Sequence, residues 1–333
     1  MTTRALLTEW LEDYQKEHIK VRTHSRYRGL ISTHIVPTLG EKDISDLGRR
    51  EIQEFLMQQK KGGNTRNGDK LSAASTNMIL SVLNLALEYA CDMEYIEENP
   101  CARVRRIKTE AKKIEAFTVD EQRAIEAEIA RSGDKQLHGI LLCLYSGVRI
   151  GELLGLTWND VDLERGVLKI TKTVYREMNA NGEWQLFVDT PKTKASDRVI
   201  PLPEYITQML RQDHETAQTP YVVENKKGER MPIRSYQYIF EKLTGRAGVR
   251  KLNFHALRHT FATRAIECGM DIKTVADIMG HQNASITLNR YAHCMLNHKI
   301  EMMQKLPRVL RAKLRRLDYS MHLIVIERTH FIF

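Results

Sequence analysis

The chain has 333 residues, of which 42% are hydrophobic and 28% are charged, and its formal net charge at pH 7 is +9. This length fits two domains of ordinary size, and the composition is that of a folded chain rather than a disordered one. The sequence has no run of about 18 apolar residues that could cross a bilayer, so we expect a cytoplasmic protein with no membrane partner.

The cysteines are scattered along the chain and form no CxxC pair. Neither a disulfide framework nor a zinc site is therefore predicted, and we expect reduced, structural thiols and no metal or cofactor. The five are Cys91, Cys101, Cys143, Cys268 and Cys294.

Apolar residues between Leu6 and Glu98 recur at spacings of three and four, which is the period of an amphipathic helix. Turn signals interrupt this pattern at 37–40, at 60–70 and at the Asn-Pro pair 99–100. We therefore predict an all-helical domain over residues 1–100.

Residues 101–116 are rich in lysine and arginine and show little apolar pattern, so we interpret them as a basic linker. Such a run could be a solvated connector or a strap that crosses a phosphate backbone, and the sequence leaves both readings open.

The second domain is predicted over residues 117–307. Thr118 followed by Glu121 is a helix-start signature, and helical spacing continues to about Leu156. Three runs of period two follow, at 166–175, 184–190 and 197–202, and predict an antiparallel sheet of about three strands. Helices then resume, the clearest at 233–244, 255–268, 271–279 and 285–292. The predicted fold is mainly α with a small antiparallel β-sheet.

Residues 308–333 carry six basic and two acidic side chains and hold nearly half of the net charge. The segment begins as a basic amphipathic helix and becomes strongly apolar, and we assign it no role. Charge elsewhere is nearly balanced, so it gives little support for a nucleic-acid partner.

Breaking a DNA phosphodiester without metal or nucleotide requires a nucleophile, an acid for the leaving oxygen and fixed positive charge around the phosphoryl group. Arg149 follows a turn where a helix begins, and Arg258 comes three residues after His255, a spacing that puts both on one helical face. Arginine can grip two phosphate oxygens at once, which lysine does less well.

The remaining roles also have candidates. Lys192 lies at the tip of a predicted hairpin, His281 follows Gly280, and Tyr291 comes ten residues later on the next helix. Each of these residues taken singly is compatible with an ordinary surface or packing role, so only the set carries the argument.

The order and spacing of these candidate residues along the chain connect them into one pattern. The motifs are R-x-x-E at 149–152, Lys192, H-x-x-R-H-T at 255–260 and G-H-x(9)-Y at 280–291. Together they resemble the tyrosine recombinases, the phage integrase family. Three flanking phrases are similar to the family as well: SGVRIGELLGLTWNDVD, KTKASDRVIPL and FHALRHTFAT.

The resemblance implies a two-domain DNA clamp, in which a helical, SAM-like core-binding domain is followed by a mixed α+β catalytic domain. It implies a site-specific recombinase that integrates or excises a mobile element or phage. Its partners would be double-stranded DNA with specific attachment or core sites, three further copies of the chain on that DNA, and accessory excision or bending factors.

By the same resemblance, Tyr291 attacks the scissile phosphate and keeps the 3′ phosphoryl group. Arg149 and Arg258 stabilise the negative charge of the transition state, and Lys192 protonates the departing 5′ oxygen.

His255 would exchange protons with the nucleophile and His281 would hydrogen-bond a phosphate oxygen. Glu152 could act as an acid, but its spacing from Arg149 favours a role in orienting that arginine.

Other classes of function remain as alternatives. A type IB topoisomerase-like enzyme uses the same chemistry, and a DNA-binding regulator could have lost catalysis, although all six candidate residues are present. A metal hydrolase is disfavoured because HALRH lacks the glutamate of H-E-x-x-H.

Overall fold

The computed structural model describes residues 1–65, 68–109, 114–178, 183–189, 197–291 and 303–304. The chain divides into two compact units, Met1–Lys112 and Lys113–Phe333. The predicted mainly helical fold with small antiparallel sheets is confirmed. The tail at 308–333 lies outside the described residues.

The first unit is built from helices. In chain order they are α1 (Thr3–Thr8), which continues as a wider turn (Glu9–Tyr14); α2 (Val21–Leu30), which continues through Ile31–Ile35 into α3 (Val36–Leu39); a short 3-10 turn (Ile44–Asp46); α4 (Arg49–Gly62); and α5 (Ala73–Asp92).

Local side-chain chemistry sets where these helices begin. The Thr2 hydroxyl accepts a hydrogen bond from the backbone N–H of Ala5, and the Ser72 hydroxyl accepts one from Ser75. Each bond satisfies an N–H group that has no partner within its own helix. The apolar faces then meet in one core that includes Trp10.

The start of the predicted linker packs against this helical unit. Cys101 and Val104 are buried in its core. The Asn77 side chain donates to the Ile107 carbonyl and accepts from the Ile107 N–H, both at 2.8 Å. The part of 101–116 nearest the helices is therefore anchored rather than loosely solvated.

The second unit contains helices and five short strands among the described residues. In chain order they are α6 (Val119–Ser132), α7 (His138–Ser146), α8 (Ile150–Leu153), β1 (Val161–Asp162), β2 (Val167–Ile170), β3 (Thr173–Met178), β4 (Trp184–Asp189), β5 (Arg198–Pro201), α9 (Glu204–Glu215), α10 (Ile233–Arg246), α11 (His255–Glu267), α12 (Ile272–Met279) and α13 (Ala284–Tyr291).

The helix start predicted at Thr118 is confirmed. The Thr118 hydroxyl accepts from the Glu121 N–H at 3.2 Å, and the Glu121 carboxylate accepts from the Thr118 N–H at 2.7 Å. Two N–H groups are thereby satisfied reciprocally.

The prediction of one three-stranded sheet is wrong, because the described strands form two antiparallel sheets, ordered β1-β2-β5 and β3-β4. The run 166–175 is interrupted between β2 and β3. There the Lys172 ammonium lies 2.6 Å from the Asp160 carboxylate, and the Thr171 hydroxyl donates to the same carboxylate at 3.5 Å. These side-chain contacts anchor the break between the two strands.

This topology also contradicts the predicted hairpin between the runs 184–190 and 197–202. Residues 190–196 connect β4 to β5, but β4 pairs with β3 and β5 pairs with β2. The segment therefore joins two different sheets instead of closing a hairpin. Lys192 itself lies outside the described residues.

The core of the second unit is centred on α7, which is buried almost throughout because its sequence HGILLCLYS is largely apolar. α7 packs directly against α11. Gly147 ends α7 in the left-handed conformation, with φ +65°. A Cβ built on Gly147 would lie 2.5 Å from the Phe261 ring of α11, so this close approach requires glycine.

Gly147→Ala is expected to lower the free energy of unfolding by about 2–4 kcal/mol, because a left-handed backbone cost adds to overpacking against Phe261. Urea unfolding measures this. The matched control is Gly133→Ala, since Gly133 also has a positive φ, +61°, but a Cβ there meets nothing within 4 Å. The control should lose about 1–2 kcal/mol, the backbone cost alone. Equal losses in the two variants would contradict the close-packing argument.

Candidate active site

Arg149 occupies the position just before α8, with an extended backbone (φ −77°, ψ 152°). Its backbone N–H donates to one carboxylate oxygen of Glu152 at 2.9 Å, and its Nη1 donates to the other at 2.7 Å. Its Nη2 donates to the Gly280 carbonyl at 3.4 Å. Glu152 thus contacts both the backbone and the guanidinium of Arg149, as expected for an orienting residue.

Glu152 also binds a second arginine, which the sequence analysis did not single out. Arg198, the first residue of β5, donates from Nη2 and Nη1 to the two Glu152 oxygens at 2.8 and 3.2 Å. Its Nε donates to the Ile278 carbonyl at 2.6 Å. The side chains of Arg198 and Glu152 are 6% and 5% exposed, so this ion pair is buried.

The charge state of Glu152 follows from these contacts. Burial by itself would raise the pKa of Glu152, but the hydrogen bonds and charge of Arg198, followed by the charge of Arg149, lower it to about 2. Glu152 is therefore an ionised anchor at neutral pH and not a proton donor.

Arg258 lies on α11 and is 2% exposed. Its Nη1 donates to the Gly147 carbonyl at 2.6 Å, and its Nη2 donates to the Met279 carbonyl. The packing of α7 on α11 at Gly147 therefore fixes one side of this guanidinium. His255, at the start of the same helix, is exposed, and its ring centroid lies 4.7 Å from that of His259.

Three consecutive carbonyl groups at the end of α12 accept hydrogen bonds from three arginines. The carbonyl end of a helix carries partial negative charge, which favours cations there. The pairs are Ile278 with Arg198, Met279 with Arg258, and Gly280 with Arg149. The end of α12 thus holds in one place the guanidinium groups of the residue before α8, of β5 and of α11.

His281 follows directly after these carbonyls. Its Nδ1 lies 2.7 Å from the hydroxyl of Thr287, a fully buried residue of α13. Tyr291 is the last residue of α13, one helical turn beyond Thr287. His281 therefore connects the arginine cluster to the helix that carries Tyr291, whose side chain lies outside the described residues.

A lysine of the sheet region that the structure does describe has a structural role. The Lys172 ammonium lies 2.6 Å from the Asp160 carboxylate and donates to the Thr157 hydroxyl at 3.1 Å. Because these contacts occupy Lys172, we do not assign it the role predicted for Lys192.

The arrangement suits an anionic ligand, because two guanidinium groups bind the single carboxylate of Glu152 and a third lies at the same helix end. Guanidinium groups bind phosphate oxygens through paired donors. Within the described part of the chain, no group of three His, Cys, Asp or Glu side chains could hold a metal ion. In that same part, no helix is both long and apolar enough to span a bilayer.

The fold and this arginine cluster are compatible with a class of enzyme that acts on phosphodiesters. Comparison with known families identifies the class: the phage integrase family matches residues 109–298, and the phage integrase N-terminal SAM-like domain matches residues 2–59. The chain belongs to the phage integrase family, the tyrosine recombinases. It is a site-specific DNA recombinase, an enzyme that cleaves and rejoins DNA strands.

Relatives support the same assignment. A tyrosine recombinase XerC-like protein of Caldanaerobacter subterraneus subsp. tengcongensis is 29% identical, over 92% of this chain and 83% of the relative. The transposase of transposon Tn916 from Enterococcus faecalis is 24% identical, over 89% and 75%. The solved Tn1549 transposon integrase, in complex with transposon right end DNA, has a TM-score of 0.77 at 23% identity, covering 92% of this chain and all of the other.

Glu152→Gln is expected to lower the free energy of unfolding by about 3 kcal/mol or more at pH 7, because it leaves the buried Arg198 without its counter-charge. The folded-state pKa of Glu152, about 2, lies below the ordinary value of 4.5. The stabilisation is therefore complete above about pH 4.5 and is lost as the pH falls towards 2. Urea unfolding between pH 2 and 7 measures the difference, which should shrink at low pH.

The control is Glu204→Gln, because Glu204 forms an exposed ion pair with Arg211 and should contribute less than about 1 kcal/mol. A loss for Glu152→Gln that stays constant down to pH 2 would refute the buried ion-pair explanation.

Proposed function

We propose that Tyr291 is the nucleophile and that Arg149, Arg258, Lys192, His255 and His281 assist it. The observation that carries this proposal is the helix end that binds both arginines and leads directly into His281 and the Tyr291 helix. Groups from distant parts of the chain are thereby connected to the nucleophile's own segment.

In the proposed reaction, the Tyr291 oxygen forms a bond to phosphorus while the bond from phosphorus to the 5′ oxygen breaks. Lys192 gives a proton to the departing 5′ oxygen, and His255 takes the proton from tyrosine. One phosphate ester replaces another, so the energy of the link is conserved. A 5′ hydroxyl from another strand can then reverse the step without a nucleotide cofactor.

The two arginines would stabilise the charge on the non-bridging oxygens, which is greatest in the transition state. Contacts with backbone carbonyls and Glu152 hold them before DNA arrives, so little reorganisation is needed. His281, with Nδ1 bonded to the hydroxyl of Thr287, would bind a phosphate oxygen through its other ring nitrogen.

The DNA partner is proposed to be a duplex with specific attachment or core sites at the ends of a mobile element or phage. Exchange between two duplexes breaks four strands, and one tyrosine per strand requires four protomers. We also propose accessory excision or bending factors and action in the cytoplasm. Kinship with a transposon transposase supports the mobile-element role.

The first unit is proposed as the core-binding domain, residues 1–100, and residues 117–307 as the catalytic domain. Of the two readings of 101–116, we propose the phosphate-binding strap. Its buried Cys101 and Val104 fix the backbone, while Arg103 and Arg105 are exposed. Arg105 also lines a concave surface of α4 that contains two arginines, Gln53 and Glu54.

Tyr291→Phe is expected to abolish formation of a covalent protein–DNA adduct while DNA binding remains within about threefold of wild type, because only the attacking oxygen is removed. The assay uses a nicked duplex made from the ends of the element that carries the gene. An adduct that persists in this variant would overturn the assignment of Tyr291.

The same preparation distinguishes recombination from topoisomerase activity. We expect cleavage and rejoining to require the element's site, with full activity in the presence of a chelator. Relaxation of any supercoiled plasmid at the same rate would instead favour a type IB topoisomerase.

Arg105→Gln is expected to weaken DNA binding about equally for specific and unrelated duplexes and to reduce the slope of log affinity against log salt by about 1, because one phosphate contact is lost. Filter binding across salt concentrations measures this. The control is Arg4→Gln, since Arg4 is engaged by Glu41 on the same unit, and its slope should match wild type. An unchanged slope for Arg105→Gln would argue against the strap.

A further inference from the structure

Arg198 lies where several parts of the active site meet. Its guanidinium bonds to both Glu152 oxygens and to the Ile278 carbonyl, and its side chain is 6% exposed. Burial of a guanidinium is costly unless its donors are satisfied, so this position requires its partners. Each of its three guanidinium nitrogens already donates to Glu152 or to Ile278, so its role lies with these partners.

We propose that Arg198 is a positioning residue for DNA cleavage, which holds the Glu152 carboxylate against Arg149 and fixes the end of α12 that leads to the tyrosine helix. This inference rests on the proposed function, because it requires that Arg149 bind the scissile phosphate. In this role Arg198 acts through Glu152 and the end of α12 rather than on the DNA.

The first line of support is the geometry of the carboxylate. Each Glu152 oxygen accepts from both arginines: one from the two Nη1 atoms, at 2.7 Å from Arg149 and 3.2 Å from Arg198, the other from the Arg149 backbone at 2.9 Å and from Arg198 Nη2 at 2.8 Å. Arg149 therefore binds a carboxylate that Arg198 also binds through both oxygens. Without Arg198, the Glu152 side chain could move together with the half-exposed Arg149.

The second line of support is the bond from Arg198 to the Ile278 carbonyl. The next two carbonyls along the chain, of Met279 and Gly280, receive Arg258 and Arg149. A shift of this helix end would thus move the acceptors of both proposed catalytic arginines. Arg198 ties that end to β5, whose register with β2 is fixed by the pair Arg198 and Ile170.

The third line of support is the place of Arg198 in the chain. It comes six residues after Lys192, at the point where the segment 190–196 joins the three-stranded sheet. The same residue therefore begins the strand that follows the segment of Lys192, binds the Glu152 carboxylate next to Arg149, and binds the helix end that precedes His281.

Only arginine has the donors for this role. Its fork binds a carboxylate through two nitrogens while Nε points to a third acceptor, whereas lysine offers one nitrogen at one point. Arg198→Lys keeps the charge but loses part of the geometry, and Arg198→Met keeps much of the volume and loses both.

The test is a double-mutant cycle on the rate of strand cleavage. The full chain, at saturating protein, cleaves a nicked duplex from the element's ends with sulfur as the 5′ leaving atom, because this better leaving group keeps slow variants measurable. The variants are Arg198→Met, Arg198→Lys, Arg149→Met and the double variant Arg149→Met with Arg198→Met. Melting temperature and DNA affinity are measured on the same samples.

We expect Arg198→Met to slow cleavage on the order of 100-fold, the effect of a misplaced catalytic group, and Arg198→Lys to fall in between. The double variant should be slower than Arg149→Met alone by much less than Arg198→Met slows the wild type, because only the contact with the end of α12 is left to act. The matched control is Arg211→Met, since Arg211 likewise binds one carboxylate, Glu204, and one carbonyl, Leu163, and should cleave at the wild-type rate.

Wild-type cleavage by Arg198→Met, or a double variant slowed by the full product of the two single effects, would overturn the inference. If Arg198→Met does not fold, the cycle is run with Arg198→Lys and read in the same way. Failure of the proposed function looks different, because then the wild-type protein forms no adduct or Tyr291→Phe still forms one.

Discussion

The site depends on one arrangement, the meeting of three guanidinium groups with the carbonyl end of α12. A helix end with unsatisfied carbonyls carries partial negative charge. Each arginine that donates to it satisfies an acceptor that would otherwise need a water molecule. The arginines come from the residue before α8, from β5 and from α11. Formation of this cluster is therefore coupled to correct packing of the whole second unit, and the proposed phosphate site exists only when that unit is folded.

Glu152 makes this cluster possible by placing negative charge where arginines would otherwise repel each other. A buried carboxylate next to Arg198 costs more in desolvation than an exposed one, and its low pKa, about 2, shows that the paired cations outweigh that cost. The result is a rigid assembly with excess positive charge on the side of Arg149, which is the more exposed of the two arginines bound to Glu152. The ion pairs and hydrogen bonds that stabilise the fold therefore also hold Arg149 in place for an anionic ligand.

The sequence predicts features that depend on neighbours in the chain. The capping box at Thr118 and the helices α10 to α13 follow from local spacing, and the ordered motifs identify the family. Strand pairing depends on partners far apart, such as Ile170 with Arg198, so the split into two sheets could not be read from period two. Arg198 was missed for the same reason: it stands within the phrase KTKASDRVIPL, but nothing in that phrase indicates a buried bond to Glu152.

The connection of β4 to β5 has a consequence for how such a chain can vary. Asp189 and Arg198 are each held in register by a different strand, Thr173 and Ile170, so neither sheet depends on how many residues lie between them. Length and composition of 190–196 can therefore change without shifting a single strand pair. A change of length in this crossover would therefore leave the strand pairs that carry Arg198, and with them the arginine cluster, in place.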